Sequence, residues 1–396
     1  MMKSSKIITV ITAASIYVLA HNASSIARTW YVAANGSGDV PTIQAAIDTA
    51  AAGDTVLVGP GHYTWVNQGT GDHRGFIRFL RQNNGFVFRS EAGAEATILD
   101  AQYQCRTLYL QGMNGLTIEG FTVTHGDAPD FGDRFGGGLF THISNDVVRD
   151  CIFTANRAEV GAGLNCAGGG SAMLIENCIF TANVSSGIGG GVGFTGSLSV
   201  GSILSGCTIT SNEAASEGGG VIVYGNIITI EDCIISGNHA GTAGGGIGGV
   251  NVLMPSVIER CTIAENTAPI GAGVNFRNSS VLHLDNCIIA YNYGRGIDLA
   301  AGNTVYAGCN DVFGNTGGNG LALGVVNKGG NIFINPQFCG VKGSGNYYLQ
   351  SDSPCLPENH PQPGYQCGRI GAFSAGCGSI GTREASWSGI KLLMRK

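Results

Sequence analysis

From residue 148 onward the apolar positions fall into a repeating pattern. An aliphatic residue (Val148, Ile175, Leu204, Ile230, Ile258, Leu284) is followed by two mostly polar residues, then a cysteine, then Phe or Ile two further on. Side chains on a strand alternate between faces, so each cysteine shares a face with its i+2 partner: Phe153, Phe180, Ile209, Ile235, Ile263 or Ile289. The intervening polar pair, such as Glu176-Asn177 or Glu231-Asp232, breaks the alternation and predicts a bend.

The cysteines are Cys151, Cys178, Cys207, Cys233, Cys261 and Cys287, at steps of 27, 29, 26, 28 and 26 residues. Each is followed five residues later by asparagine: Asn156, Asn183, Asn212, Asn238, Asn266 and Asn292. Such a period marks a solenoid. After each asparagine comes a glycine cluster and an aliphatic residue, as in Gly190-Gly191-Val192, Gly219-Gly220-Val221 and Gly245-Gly246-Ile247, which predicts a further corner and strand. The repeat has room for several short strands and no full helix. Stacked copies would place like residues in columns about 4.8 Å apart. Corner asparagines in register would then hydrogen-bond along the stack. Stacked cysteines would hold their Cβ atoms too far apart for disulfides, so the row is expected to consist of reduced thiols acting as small hydrophobes.

The Phe-x-x-Asn segments (Phe153 to Asn156, Phe180 to Asn183) and the Gly-Gly-aliphatic segments, which include Gly137-Gly138-Leu139, resemble the repeats of the polymorphic outer-membrane proteins, within the pectin-lyase-like superfamily of right-handed β-helices. The resemblance covers roughly residues 115 to 300. It implies an all-β chain folded as a right-handed parallel β-helix, with regular coils over 115–315 inside a domain spanning 28–380. It is specific for architecture and not for activity.

Nearer the start, Ile43, Ala46, Ile47 and Ala50 form an i, i+3, i+4, i+7 apolar face between Pro41 and Gly53, which predicts a short amphipathic helix over 41–52 capping the open end of the stack. With Gly36-Ser37-Gly38-Asp39, Gly53-Asp54-Thr55-Val56 and Pro60-Gly61-His62-Tyr63, this segment resembles the amino-terminal cap of pectinesterases and other β-helix carbohydrate enzymes. The catalytic segments of pectinesterases (Asp-Phe-Ile-Phe-Gly, Arg-Pro-Trp) and of polygalacturonases (Asn-Thr-Asp, a vicinal Asp pair) do not occur. Two or three less regular coils are expected over 64–114, with strands at 97–100 and 107–110. Leu116 to Thr124 reads as a copy of the repeat in which Gly120 takes the cysteine's place.

The regularity lapses at His125 to Phe135, where Asp127, Asp130 and Asp133 stand at i, i+3, i+6 with Phe131, Arg134 and Phe135. Insertions on solenoids map to loops, often on the binding face. The three aspartates are candidate Ca²⁺ ligands and, with Arg134, candidate catalytic groups; Phe131 and Phe135 are candidate sugar platforms. His125 and His142 lack a supporting ligand pattern. Tyr63, Trp65, His73 and Arg74 form a second aromatic and basic cluster, with Tyr63 and Trp65 as candidate substrate contacts.

Composition narrows the setting. The 65 glycines among 396 residues lack a Gly-X-Y period, and the regular apolar rows argue against disorder. Residues 1–27 read as a signal peptide: Lys3 and Lys6 precede the apolar run Ile7 to Ala20, shorter than the about 20 residues a membrane span needs, and Ser25-Ile26-Ala27 suits cleavage. A secreted or cell-surface protein with no span after leader removal is expected. The acidic balance, formally −6, disfavours nucleic acid and anionic membranes as partners.

At the other end, Cys339, Cys355, Cys367 and Cys377 lie in a segment, 332–378, that resembles the closing coil of secreted bacterial β-helix proteins, and two disulfides are expected among these four. Cys309 to Asn315 reads as the last degenerate repeat. Residues 381–396 form a basic and apolar tail, similar to attachment tails of exported bacterial proteins.

Two main kinds of function remain, beside a translocated or anchored virulence-type surface protein, which would be expected to carry a membrane β-barrel. One is an extracellular scaffold or adhesive module contacting polysaccharide or cell-surface glycan. The other is a polysaccharide lyase or glycoside hydrolase acting on acidic polysaccharide.

Overall fold

The computed structural model describes residues 26–377 apart from 70–72, 81–84, 129–133, 170–171, 197–200, 253–254, 279, 322–323 and 363. The tail and all but the last two residues of the expected leader lie outside them. The fold is a right-handed parallel β-helix. Among the described residues its strands form four sheets with 12, 9, 10 and 4 members, and every strand pairs in parallel with the strand one coil above or below.

One coil shows how the sequence makes the turn. Asn145–Arg149 lies in the first sheet, Ile152–Thr154 in the third, Arg157–Val160 in the fourth and Leu164–Ala167 in the second. Two of the corners between them are single residues with positive φ. Asp150, Asn177, Asp232, Arg260 and Asn286 (φ 50° to 55°) precede the cysteines, and Ala155, Ala182, Ser211, Glu265 and Tyr291 (φ 54° to 59°) precede the asparagines. Left-handed backbone at a non-glycine residue costs roughly 1–2 kcal/mol. The N–H that follows each corner needs an acceptor in the next coil, and there it meets a side chain.

The two columns meet that need. Asn183 Oδ1 accepts the backbone N–H of Asn156 at 3.1 Å and its Nδ2 at 3.0 Å, while Asn183 Nδ2 donates to the Phe153 carbonyl at 2.9 Å. The same contacts recur through Asn212, Asn238, Asn266 and Asn292 to Asn315. Cysteine fills the equivalent role at the other corner. The N–H of Cys178 meets Cys207 Sγ at 3.4 Å, and Cys207 Sγ donates to the Ile175 carbonyl at 3.6 Å. The six thiols are free and buried, as the spacing predicts.

The column ends differ from the sequence reading. Ile152 pairs with Thr122, which places Phe121, not Gly120, in register with Cys151. Gly120 (φ 76°) is the left-handed corner residue before it. At the far end Asn310, not Cys309, continues the cysteine column, taking the Cys287 N–H on Oδ1 at 2.9 Å. Cys309 (φ 54°) occupies the corner, and there its side chain leaves the column.

The third glycine of each cluster is required by close approach. A Cβ on Gly220 would lie 2.7 Å from the Gly246 carbonyl and 3.0 Å from Asn238 Nδ2. Inside the coils one continuous apolar core runs from Val32 to Val312, with aromatic pairs such as Phe153–Phe180 (4.9 Å between centroids) and Phe88–Phe121 (4.3 Å) stacked along the axis.

The capping helix spans Ile43–Thr49, with Thr42 as its N-cap accepting from the Ala45 N–H, and it buries Ile43, Ala46 and Ile47. The cysteine-rich segment expected to close the stack lies along its side. Beyond Ile332, residues such as Leu349, Leu356, Ile370 and Ala372 pack on Ile234, Ala264, Ile288 and Ala290, outward-facing positions of the third sheet. The Gly371 N–H donates to the Asn286 carbonyl, the Ala372 N–H donates to Thr262 Oγ1, and Arg369 pairs with Asp232. At the last position of these strands Thr154, Thr181 and Thr210 of earlier coils give way to Ala264 and Ala290 where the strap docks.

Two disulfides fix this strap, Cys309–Cys367 and Cys339–Cys377. Cys355 was expected in a bridge and instead is a buried free thiol, its Sγ 3.3 Å from Asp311 Oδ2. Cys309 takes its place, because the corner geometry projects that side chain toward the strap.

Candidate functional site

The two irregular segments singled out in the sequence flank one stretch of chain, residues 100–106. Third-sheet strands Gly61–Thr64, Thr97–Asp100 and Thr122–Thr124 stack so that Thr64, Asp100 and Thr124 share a row. Asp100 is buried at the end of its strand and accepts from three groups: Gln102 N–H at 2.8 Å, His62 Nε2 at 2.9 Å and His125 Nδ1 at 3.0 Å. Burial alone would raise its carboxyl, but the hydrogen bonds from His125, Gln102 and His62 together hold it below the usual carboxylate range. The imidazoles themselves face solvent, with side chains 55% exposed for His62 and 40% for His125.

Left-handed corners at Gln102, Tyr103 and His125 bring further groups to this edge. The Tyr103 ring lies 4.9 Å from the His125 ring, and the Arg157 guanidinium lies over the Tyr103 ring, 4.2 Å from its centroid. Arg157 is held by backbone pairing, its N–H donating to the Gly126 carbonyl and its own carbonyl accepting from Ala128. Arg134 pairs with Glu159 at 2.8 Å on the exposed surface.

On the other flank, Trp65 opens a short helix, Trp65–Gln68, capped by Thr64. Its ring meets His73 at 5.4 Å and Phe76 at 6.5 Å, and the Val66 N–H donates to Gln102 Oε1. Beneath the surface, Arg106 is buried; its Nε donates to the Phe135 carbonyl at 2.6 Å and its guanidinium lies 5.1 Å from the Phe140 ring.

The structure separates the sequence candidates. Tyr63 is fully buried, its hydroxyl donating to the Gly59 carbonyl at 2.9 Å, so it is a core residue and unavailable to a ligand; the strand alternation that buries Tyr63 exposes His62. Trp65 is half-buried at the edge. Phe135 stacks on Phe140 at 5.9 Å. Asp127 bridges Arg157 through the backbone, and Arg134 stands on the same edge. Asp130, Phe131 and Asp133 lie outside the described residues. Among the described residues no group of three or more His, Cys, Asp or Glu side chains could hold a metal ion.

His62, Asp100, Tyr103 and Arg157 were not candidates from sequence, since they come from three coils. The signal that could have found them is register. Asp100 and His62 sit on strands one coil apart, and Arg157 directly follows the first asparagine of the column.

The result is an edge rich in cationic and aromatic groups on an otherwise acidic chain. Such an edge can bind carboxylates through Arg157 and Arg134 and sugar faces through Tyr103 and Trp65. In the neutral tautomer that donates Nδ1–H to Asp100, the His125 Nε2 is the acceptor nitrogen.

Comparison with known proteins agrees on the fold. A family model described as the right handed beta helix region matches residues 189–338. No curated protein matches the sequence. Among solved structures, pectate lyase Pel9A superposes with a TM-score of 0.58 at 16% identity, covering 89% of this chain and 97% of that one. A pectin methylesterase from carrot has a TM-score of 0.40 at 14% identity over 79% and 90% of the two chains. An alginate lyase from Paenibacillus sp. str. FPU-7 has a TM-score of 0.34 at 14% identity over 77% and 99%.

Proposed function

We propose that the protein contacts an acidic polysaccharide through the edge formed by His62, Tyr103, His125 and Arg157. The observation that carries this reading is the Arg157 guanidinium 4.2 Å from the Tyr103 ring, beside two imidazoles anchored on Asp100. A cation next to an aromatic face matches a uronic acid, which offers a carboxylate and an apolar ring face together. The protein acts outside the cell in this reading; the two disulfides and the leader-like amino terminus support that location.

The Asp100-anchored imidazole favours a second reading, a polysaccharide lyase. His125 Nε2 would take the proton α to the uronate carboxylate, the electron pair would form a C=C bond, and the glycosidic C–O bond would break with its electrons leaving on oxygen. Arg157 would hold the carboxylate and stabilise the charge that develops on it. The shape shared with pectate lyase Pel9A is compatible with both readings.

Calorimetric titration with polygalacturonate, alginate and a neutral glucan tests the first reading. Binding to the polyuronates that weakens with salt supports it, and equal binding to the glucan, or none to any polymer, opposes it. Ultraviolet absorbance of an unsaturated product, absent in His125→Ala, distinguishes the lyase from a binding module.

A further inference from the structure

A cavity of about 480 Å³ lies between the strap and the stack, bordered by Glu265 and Tyr291 on one side and by residues 335–350 on the other. It is a partly open cleft, walled by side chains of both the strap and the stack. The corner row gives a second, independent sign. In the four preceding coils the residue before the column asparagine is Ala155, Ala182, Ser211 or Gly237; large side chains follow at Glu265 and Tyr291, where the cavity opens.

We propose that this cavity binds a neutral saccharide unit, at a site separate from the arginine-bearing edge. Three aromatic rings supply apolar walls: Tyr291 and Phe338 meet edge to face at 6.2 Å, and Phe338 and Tyr347 at 5.2 Å. Asn335, Asn346 and Gln350 supply amides, each both donor and acceptor, which suits sugar hydroxyls that are also both. One carboxylate, Glu265, and one ammonium, Lys342, border the space, so it carries no net charge to select an anion.

The walls are fixed before any ligand arrives. Tyr291 donates its hydroxyl to Asn335 Oδ1 at 3.0 Å, Gln350 Nε2 donates to the Phe338 carbonyl at 3.1 Å, and Glu265 Oε1 accepts the Gly343 N–H at 2.8 Å. The Cys339–Cys377 disulfide ties down the same loop. Preorganised walls reduce the ordering cost of binding. His125 and Glu265 stand on the same corner row five coils apart, about 24 Å at the usual strand spacing, so the two sites are spatially distinct.

The test is saturation-transfer NMR on the full chain with the methyl glycosides of glucose, galactose, mannose and galacturonic acid. At least one neutral glycoside is expected to bind, with affinity lowered about tenfold or more in Gln350→Ala, abolished in the cavity-filling Asn346→Trp, and unchanged in Arg157→Ala. The proposal is overturned if no neutral glycoside binds, or if binding survives undiminished in Gln350→Ala. It is equally overturned if Arg157→Ala removes the signal, or if the galacturonide binds the cavity as well as the neutral sugars. Loss of polyuronate binding in Arg157→Ala with glycoside binding intact separates this site from the edge.

Discussion

The side-chain oxygen of Asn238 accepts two hydrogen bonds from Asn212, one from the backbone N–H and one from Nδ2, each at 3.0 Å. Asn238 Nδ2 in turn donates to the Ile209 carbonyl at 2.9 Å. All these groups are buried, so Asn238→Ala leaves two donors and an acceptor unpaired. The expected loss is about 3 kcal/mol or more, read as a lower urea midpoint. Asn238→Asp is also expected to destabilise, because a carboxylate cannot donate to Ile209. A midpoint unchanged in both variants would show that the column is incidental.

The cysteine column makes a parallel prediction. Cys233 Sγ takes the Cys207 N–H at 3.4 Å and donates to the Leu204 carbonyl at 3.4 Å, the contacts that Asn310 makes with Cys287 and Leu284. Burial pushes the Cys178, Cys207 and Cys261 thiols well up, so thiolate is suppressed. Iodoacetamide should leave the six column thiols unmodified in the native protein and should label nine cysteines after unfolding without reductant. Native labelling at Cys207 or Cys233 would contradict the column.

Much of this was legible in the sequence because a solenoid repeats its constraints. Cysteine, asparagine and glycine recur at fixed offsets, since each coil must solve the same corner. Contacts between non-equivalent positions were not legible. Tyr63 reads as a surface aromatic until strand alternation buries it, and His62 meets Asp100 only through a register that irregular early coils obscure. The strap was misplaced for the same reason: its partners Asp232 and Asn286 are more than eighty residues away in the chain. The exchange of Cys355 for Cys309 in the disulfides follows from that docking.

The strap carries a pH dependence. Burial pushes the Asp311 carboxyl up to about 7, against the partial pull of Cys355 and the Ile334 N–H, which Oδ1 accepts at 3.1 Å. Its unfolded value is about 4. The folded state therefore favours the protonated form, and this contribution is complete below about pH 4 and is lost as pH rises through about 7. Asp146, pushed up to about 6 by burial, acts in the same direction. The melting temperature should fall between about pH 4 and pH 7, and Asp311→Asn should flatten that fall. A slope of opposite sign, or one unchanged in the variant, would refute the assignment.

The glycine clusters are expected to be intolerant at their third position. A methyl group on Gly220 meets the Gly246 carbonyl and Asn238 Nδ2, both fixed by the ladder. Gly220→Ala should cost about 2 kcal/mol or more. Gly364→Ala, with nothing within 4 Å of its added Cβ, should be neutral in the same denaturation assay.

The functional reading rests on Arg157 and its neighbours, and Arg157→Ala tests it most directly. Its guanidinium is exposed and lies over Tyr103, so removing it should leave the melting temperature unchanged. Calorimetric titration with polygalacturonate should then show affinity reduced about tenfold or more relative to the unsubstituted chain, a loss of about 1.4 kcal/mol. Unaltered polyuronate affinity in a folded Arg157→Ala protein would contradict the account.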